Sequence, residues 1–274
     1  MIFTSNITDW QHSMLDQTQP VSRHVWNHTL SLLEIIDFHE ITGTFFIATN
    51  VAEKYPVLVR KISARGHEVA PYFEYPIGAG SFAKLAERSI HTIEDITGTK
   101  TIGARTRNLE IESLNFYCKV LNHHGIKYDS SLYLAKPVSK LIHKHTELEA
   151  FAANNISEYH LPTLPLLGKR LSLFGSQSFR LLPYALSHYA GSLLPREKTV
   201  FCIQSFDLGL DENNDISKKH SIPLDRRQDF IGRKKVSLKL QKLLRDFPFL
   251  SFRDAYYFCD GSSPQYQPEK LYYT

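Results

Sequence analysis

The stretch from Ile41 to Glu68 constrains the fold more than any other part of the chain. It opens with a short β-branched and aromatic run, Ile41 to Ala48, which is typical of a buried strand. Apolar residues then recur with helical spacing from Val51 to Arg65, and Gly66 can end that helix before the next apolar run. A strand, a helix and a second strand in this order predict a β-α-β unit, whose two strands are parallel.

The same alternation of short strands and longer helices continues along the chain. Strands are predicted near Ile2 to Ile7, Thr42 to Ala48, Glu68 to Ala70, Thr101 to Ala104, Tyr128, Val200 to Gln204 and Phe247 to Phe252. Helices are predicted over Val21 to Phe38, Val51 to Arg65, Lys84 to Thr97, Leu114 to His124, Leu181 to Leu194 and Phe230 to Asp246. This order predicts parallel β-α units that close into a barrel or form a doubly wound sheet.

Composition adds limits on the class of protein. The chain has 274 residues, 42% of them hydrophobic and 22% charged, which suits one large globular α/β domain. The net charge of +4 is spread along the sequence, so no nucleic-acid partner is indicated. The basic run Arg233-Lys234-Lys235 is predicted to be the solvated face of a helix rather than a binding patch.

Cysteines and apolar runs bear on the cellular compartment. Cys118, Cys202 and Cys259 are odd in number and widely spaced, which indicates reduced thiols rather than disulfides or a zinc knuckle. No stretch approaches the roughly 18 apolar residues of a membrane span, and the first residues do not resemble a secretion signal. These patterns predict a cytoplasmic location.

Several phrases of the sequence resemble one family. Gly43-Thr44-Phe45-Phe46-Ile47, followed by Arg65-Gly66-His67-Glu68-Val69-Ala70, closely resembles the polysaccharide deacetylases, which contain the NodB homology domain. The segments Leu166 to Leu171 and Phe179 to Leu186 are similar to the subgroup found in exopolysaccharide and surface-glycan gene clusters. The resemblance runs from about Ile2 to Phe252 and implies a distorted TIM-like (β/α) barrel. We expect one domain over residues 1–274, with a helical and tail extension from about residue 208.

The resemblance also implies a hydrolytic centre at the carboxyl-terminal mouth of the barrel. In the family, an Asp and two His hold a divalent metal that activates a water to attack an acetyl group. A second Asp acts as general base, an Arg orients that base, and a late His protonates the leaving amine. Such chemistry combines Lewis-acid polarisation with general acid and base catalysis.

Transferring these roles residue by residue shows that most of them are lost. Asn6 occupies the position of the general base, and an amide cannot accept the proton. Asp9 retains a carboxylate that could bind the metal, and Trp10 matches the tryptophan that follows it in the family. Tyr72 and Pro76 stand where the family has its two metal histidines.

The later motifs retain some of the family's residues and lose others. Arg105 is retained at the position of the orienting arginine, within Arg105-Thr106-Arg107. Asp129 belongs to Tyr128-Asp129-Ser130-Ser131, which matches the family motif fully. Gln204 replaces the histidine that would act as general acid. We therefore expect the positions Asn6, Asp9, Tyr72, Arg105, Asp129 and Gln204 to converge at the mouth of the barrel.

The function predicted from these changes is a glycan-binding or partner protein of surface-glycan metabolism that has lost catalysis. Its ligand, a glycan or N-acetylated sugar, would contact Trp10, Tyr72, Phe73, Arg105, Arg107 and Phe206, since aromatic faces and guanidinium groups recognise sugars. No cofactor is predicted. The alternative is an active, divergent carbohydrate N-deacetylase, with Zn²⁺ or with Asp129 or Asp9 acting without a metal. A structural oligomerisation partner is a third possibility.

Other side chains were weighed as metal ligands. Asp9, Glu74 and Asp207 could supply three oxygens to Mg²⁺ or Ca²⁺. His24 and His28 have the four-residue spacing of helical ligands but lack a third ligand. The expected role of His67 is that of a partly buried, hydrogen-bonded histidine.

Overall fold

The computed structural model describes residues 1–10, 20–74, 79–107, 109, 114–132, 144–166, 169–209 and 231–260. Seven parallel strands form the central sheet, in the order β6-β5-β4-β3-β2-β1-β9, and helices pack around it. The sheet curls into a half-barrel, which confirms the predicted distorted (β/α) barrel. Its register is regular: Thr44 on β2 pairs with Thr4 on one side and Glu68 on the other.

The strands of the barrel and of a separate hairpin have short, well-defined bounds. They are β1 (Ile2–Ile7), β2 (Thr44–Ala48), β3 (Glu68–Phe73), β4 (Gly103–Thr106), β5 (Tyr128–Asp129), β6 (Ser157–Glu158), β7 (Thr163–Leu166), β8 (Lys169–Ser172) and β9 (Val200–Gln204). Strands β7 and β8 form the antiparallel hairpin. Strands β1 and β9, the first and last along the chain, have the predicted bounds. Strand β3 extends three residues beyond the predicted end at Ala70, and β4 starts later than predicted.

Ten helices connect or flank the strands in the described part of the chain. They are α1 (His24–Phe38), α2 (Thr49–Lys54), α3 (Pro56–Ser63), α4 (Ala79–Thr97), α5 (Leu114–His123), α6 (Lys144–Ala153), α7 (Ser176–Leu181), α8 (Tyr184–Leu193), α9 (Val236–Asp246) and α10 (Phe252–Asp260). Short 3₁₀ turns cover Arg196–Lys198, Ser205–Leu208 and Arg233–Lys235. None of these helices is both long and apolar enough to cross a membrane.

Three predicted elements differ from the structure for identifiable reasons. The predicted helix from Val51 to Arg65 is two helices, because Pro56 begins α3 and cannot donate to the preceding turn. Pro183 likewise separates α7 from α8. The predicted final strand from Phe247 to Phe252 is wrong: only Leu250 forms a bridge, to Ile2, and α10 begins at Phe252.

The predicted position of Arg233 is also wrong. It was predicted to lie on a solvated helix face, but it is buried, with its guanidinium above the ring of Phe206 and an N–H donated to the carbonyl oxygen of Phe206. Its neighbours Lys234 and Lys235 are exposed, as predicted. Arg233 therefore fastens the start of α9 to the 3₁₀ turn that follows β9.

Apolar side chains form two clusters on the outer side of the sheet and in the barrel. The larger one joins β1, β2, β3 and β9 to α1, α3 and α9. The smaller one lies between β3, β4 and helices α4, α5 and α6, and includes Phe73, Phe82 and Tyr117. Burial of these large side chains supplies the main driving force for folding.

The gap between the two outer strands, β6 and β9, is spanned by residues 159–166 and 169–175, which include the hairpin. The backbone N–H of Cys202 on β9 donates to the carbonyl of Phe174 at 2.9 Å. Leu173 N–H donates in turn to Pro162 O at 2.9 Å. This irregular segment therefore completes the wall of the barrel where the ladder of parallel strands stops.

Candidate functional site

A cavity of about 330 Å³ opens at the carboxyl-terminal mouth of the barrel. It lies between the ends of the central strands and the segment that closes the barrel. The described residues that line it are Asn6, Tyr72, Arg105, Thr106, Arg107, Ser130, Ser131, Leu132, Leu161, Ser172, Gly175, Ser176, Gln177, Ser178, Arg180, Cys202, Gln204 and Phe206. Ligand sites in α/β barrels lie at this end, where the strands release their side chains into loops.

Arg105 is the centre of the site. From β4, its Nη1 donates to Asn6 Oδ1 at 2.8 Å, to Thr4 Oγ1 at 3.1 Å and to Cys202 Sγ at 3.3 Å. Nε and Nη2 donate to the backbone oxygen and the hydroxyl of Ser130, both at 2.9 Å. The guanidinium carbon lies 4.1 Å from the centre of the Phe46 ring. One side chain thus crosses the barrel and contacts four other strands or their ends.

Asn6 reaches this site because alternate residues of a strand share a face. Thr4 and Asn6, two residues apart on β1, both point to Arg105. The Asn6 amide oxygen accepts from the guanidinium, as the carboxylate of a general base would. An amide has no titratable oxygen, so this position orients Arg105 without being able to take up a proton.

Gln204 lines the cavity, but its side-chain oxygen is engaged in a cap. Its side chain accepts from the backbone N–H of Asp207, and its own backbone N–H donates to Asp207 Oδ2 at 3.0 Å. Asp207 is further held by Ser176 Oγ at 2.6 Å and by Arg180 Nη1 at 3.2 Å. Gln204 and Asp207 therefore cap the 3₁₀ turn after β9, and burial raises the pKa of Asp207 against the opposing effect of Arg180.

Asp129 lies behind the cavity wall rather than in it. Its carboxylate accepts from Tyr117 Oη at 2.6 Å and from Ser131 N at 3.0 Å, and its side chain is hydrogen-bonded to Glu158. Asp129 is buried and Glu158 is half-buried, and desolvation raises the pKa of each carboxyl. Leu132 N donates to Glu158 Oε1 at 2.9 Å. The pair supports the backbone of Ser131 and Leu132, which do line the cavity.

Three residues predicted to act at the mouth are placed elsewhere. Phe73 is wholly buried against Phe82, with ring centroids 5.2 Å apart, and does not line the cavity. Trp10 is buried and does not line the cavity. Asp9 is also buried outside the cavity lining, and its carboxylate accepts from the backbone N–H of Ser22.

The remaining predicted contacts do meet at the cavity. Tyr72, Arg107 and Phe206 line it together with Arg105. Burial raises the pKa of the Tyr72 hydroxyl, so this phenol is neutral at physiological pH and can only donate or accept hydrogen bonds. Arg107 is half-buried, and its guanidinium has no hydrogen-bond or ion-pair partner among the described residues.

The donors at the mouth do not fit a zinc ion. Zn²⁺ takes His, Cys and carboxylate ligands, whereas the cavity presents amides, hydroxyls, one thiol and three guanidinium groups. Pro76, at the position of the second metal histidine, lies outside the described residues. Within the described ranges no three His, Cys, Asp or Glu side chains gather as a ligand set, so Asp9, Glu74 and Asp207 do not form the suggested oxygen site.

The histidines weighed as ligands also have other environments. His24 and His28 lie with stacked rings 6.1 Å apart, and burial lowers the pKa of His28 to about 4. His67 is buried beside Phe45, and its Nε2 is 3.5 Å from Asp37 Oδ1 at the opposite end of the barrel from the cavity.

Several lining residues were not identified from the sequence. Ser130 and Ser131 belong to the matched Tyr128 to Ser131 motif, and Arg180 to the phrase from Phe179 to Leu186, so both signals were available. Cys202 was considered only as a thiol. Ser172 has no sequence signal, because its place depends on how the hairpin folds back onto β9.

The comparisons with known proteins come from structure alone. No family model matches the sequence, and no curated protein matches it. A solved structure from Mycobacterium smegmatis, assigned to the polysaccharide deacetylases, superposes with a TM-score of 0.57 at 16% identity, over 97% of this chain and 92% of that chain. The chain has the fold of the polysaccharide deacetylases, as its motifs predicted.

Two other solved proteins are similar at a lower level. BA3943 from Bacillus anthracis, a pseudoenzyme of the CE4 family, has a TM-score of 0.47 at 8% identity over 93% of this chain. This chain spans 64% of the BA3943 chain. The peptidoglycan deacetylase PdaC from Bacillus subtilis has a TM-score of 0.48 at 10% identity, over 95% of this chain and 91% of that chain.

Proposed function

We propose that this protein binds a glycan of surface-polysaccharide metabolism in the mouth of a deacetylase-type barrel and does not hydrolyse it. The observation that carries the proposal is the hydrogen bond from Arg105 to Asn6. The position that should hold a general base is occupied by an amide, yet it is still oriented by the arginine. The site is thus organised without the group that would start the reaction.

The composition of the cavity supports binding. Tyr72 offers an aromatic face and a phenol, while Ser130, Ser131 and Gln177 provide hydroxyl and amide groups for sugar hydroxyls. A volume of about 330 Å³ is in the range of small-ligand pockets and suits one or two sugar units. Binding of this kind would let the protein deliver or retain a glycan for a partner protein of the same pathway.

The two carboxylates named for the alternative, an active deacetylase, do not line the cavity. Asp129 is fully buried and hydrogen-bonded to Tyr117, Ser131 and Glu158. Asp9 is buried and accepts from Ser22. A general base has to come within about 3 Å of the proton that it removes, or act through one water. Neither carboxylate lines the cavity where that proton would be.

The test measures catalysis and binding on the same preparation. Purified protein is incubated with N-acetylated oligosaccharides, with and without added Zn²⁺, and acetate is quantified. We expect no acetate above the protein-free control, and calorimetry should show oligosaccharide binding. Tyr72→Phe should weaken that binding about three- to tenfold, the usual value of one lost hydrogen bond.

The matched control is Tyr189→Phe, because Tyr189 is 65% exposed on α8 and does not line the cavity. It should leave binding unchanged. Zinc-dependent release of acetate that disappears in Asp9→Asn would overturn the proposal in favour of the enzyme. Absence of binding to every oligosaccharide would also contradict it.

A further inference from the structure

The charged side chains among the described lining residues are of one sign. Arg105, Arg107 and Arg180 line it, and among the described lining residues there is neither Asp nor Glu. Arg180 is compensated, since its Nη1 forms a buried ion pair with Asp207 at 3.2 Å. The excess positive charge therefore comes from Arg105 and Arg107.

Arg105 is buried without an opposite charge. Its side chain is only 5% exposed, and each of its hydrogen bonds goes to a neutral group: an amide, two hydroxyls, a backbone carbonyl and a thiol. Asp129 and Glu158 are hydrogen-bonded to each other, and neither forms an ion pair with the guanidinium; burial raises the pKa of Glu158, and the charge of Arg105 opposes that rise. Burying a charge costs several kcal/mol unless an opposite charge compensates it. An anion in the cavity would supply that compensation.

Arg107 is placed to take part. It follows Arg105 by two residues, so both side chains leave β4 on the same face. Its backbone N–H donates to Phe73 O at 2.8 Å, which fixes its position at the end of the strand. Its guanidinium makes no contact with another described side chain that would occupy its donors. Guanidinium groups bind carboxylates and phosphates through paired N–H donors.

Ser172 provides an independent indication of a missing ligand. It lines the cavity and is only 3% exposed. Its hydroxyl oxygen has no hydrogen-bond partner among the described residues. Among the buried hydroxyls that have no partner in the described part of the chain, that of Ser172 lines the cavity, and leaving such a group unbonded has a cost in free energy. A polar group of a bound molecule would complete its hydrogen bonding.

We infer that the cavity recognises an acidic saccharide, a sugar unit that carries a carboxylate or a phosphate, with the anionic group held by Arg105 and Arg107. This inference rests on the proposed glycan binding and specifies the chemical class of the glycan. The acidic group is bound by the two uncompensated guanidinium groups. The hydroxyls of the same sugar are bound by the serine-rich wall that includes Ser172.

The experiment compares matched ligands by calorimetry on the full chain. D-Glucuronate and glucose 6-phosphate are the two acidic probes, D-glucose is the neutral one, and inorganic phosphate is the free anion. We expect one or both acidic sugars to bind at least tenfold more tightly than D-glucose and more tightly than inorganic phosphate. The stronger of the two distinguishes a carboxylate site from a phosphate site. Raising the salt concentration should weaken this binding, as ion pairing requires.

A pair of variants isolates the role of the charge. Arg107→Gln should weaken binding of the preferred acidic sugar about tenfold, because a hydrogen bond to a charged group is worth about 1.5–3 kcal/mol. Its effect on the binding of D-glucose, which carries no anionic group, should be smaller. Arg60→Gln changes an exposed arginine on α3 and should alter neither affinity. Circular dichroism confirms that each variant is folded.

The outcomes separate this inference from the proposed function. If neutral N-acetylated oligosaccharides bind while neither acidic sugar binds more tightly than D-glucose, the inference is wrong and glycan binding stands. If Arg107→Gln binds the acidic sugar as well as the unmodified protein does, the inference is also wrong. Inorganic phosphate that binds as tightly as either sugar would show a simple anion site and contradict the saccharide. Release of acetate would overturn the proposed function on separate grounds.

Discussion

The two ends of the barrel each bury a charged or titratable side chain, and they compensate it differently. At the amino-terminal end, Glu68 Oε2 accepts from Thr44 Oγ1 at 2.7 Å and from Arg253 N at 2.8 Å, and the Arg253 guanidinium is 3.9 Å from Oε1. At the mouth, Arg105 is surrounded by neutral acceptors. At the amino-terminal end the buried carboxylate has a guanidinium beside it, whereas Arg105 at the mouth forms no ion pair with a described carboxylate.

This difference separates a stabilising end from a binding end. Glu68 and Thr44 tie α10 to the sheet, because the backbone N–H groups of Arg253 and Phe252 donate to them. Burial raises the pKa of Glu68, and Arg253 opposes that rise. A positive charge at the mouth without such a partner has no benefit for folding. Under the proposed function, the polar groups at the mouth would instead bind a ligand.

The largest effect is expected at the amino-terminal end. In Gly103→Ala the new methyl group would meet the ring of Tyr128, which packs across Gly103 and against Phe252 with centroids 4.7 Å apart. The ring has no room to move, so we expect a loss of about 1–3 kcal/mol in the free energy of unfolding, as for overpacked cores. Chemical denaturation measures it.

The matched change at the mouth is Gly175→Ala. There the new methyl group would lie 2.9 Å from Ser172 Oγ, the end of a side chain that can rotate into the cavity. We expect less than about 1 kcal/mol of destabilisation. Equal losses at both positions would contradict the view that the mouth is the more accommodating end.

A second prediction makes the mouth resemble the other end. Asn6→Asp places a carboxylate 2.8 Å from Arg105 Nη1, where the amide oxygen now lies. A hydrogen bond between charged groups is stronger than one to a neutral acceptor, so we expect a gain of about 1–2 kcal/mol in the free energy of unfolding at pH 7. Binding of the preferred acidic sugar should weaken about tenfold, because the new carboxylate neutralises Arg105.

The pH dependence of this gain is defined by the ion pair. The guanidinium would hold the pKa of the new carboxyl below its value of about 3.9 in the unfolded chain. The gain should therefore be present above pH 4 and disappear as the pH falls through the lowered pKa. Asn6→Ala, which adds no charge, should show no gain. A destabilised Asn6→Asp at pH 7 would mean that Arg105 is already compensated.

The smallest effect concerns the buried pair behind the cavity wall. Burial raises the pKa of both Asp129 and Glu158 above that in the unfolded chain, where carboxyls titrate near pH 4. Stability from such groups is complete below pH 4 and is lost as the pH rises through the folded pKa. Glu158→Gln keeps the acceptor for Leu132 N and donates permanently to Asp129. We expect it to be more stable than the unmodified protein by about 1 kcal/mol at pH 8.

Thermal unfolding between pH 4 and pH 9 tests this prediction. The curve of Glu158→Gln should be flatter than that of the unmodified protein, and the two should converge toward pH 4. Glu197→Gln, at an exposed position, serves as the control and should leave the curve unchanged. A curve for Glu158→Gln parallel to that of the unmodified protein would show that the pair does not share a proton.

Much of the barrel was predictable because its signals are local. The motif phrases and the alternation of apolar runs gave β1, β2, β3 and β9 and the parallel order. Two available signals were not used. Pro56 and Pro183 mark helix starts, and Ser251 with Asp254 three residues later is an N-terminal capping pattern. In the structure Asp254 N donates to Ser251 Oγ at 3.1 Å, which favours α10 over a final strand.

The site was predictable by position but only partly by orientation. Successive side chains of a strand point to opposite faces, so Tyr72 and Phe73 could not both face the mouth. Phe73 belongs to the smaller apolar cluster, with Phe82 and Tyr117. The function of Gln204 as a cap and the placement of Ser172 depend on backbone paths outside the strands. Those paths are determined by long-range contacts, such as the hydrogen bond from Cys202 N–H to Phe174 O. The local sequence around either residue does not predict such a contact.

That last contact has a consequence for how specificity can change. The segment from residue 159 to residue 175 forms one wall of the cavity, yet it lies outside the ladder of seven strands. Exchanging it for a segment of different sequence would replace Leu161, Ser172 and Gly175 while leaving the hydrogen bonds between the parallel strands in place. Changes in the sequence of this segment would therefore alter the ligand preference of the cavity while the sheet of the barrel stays the same.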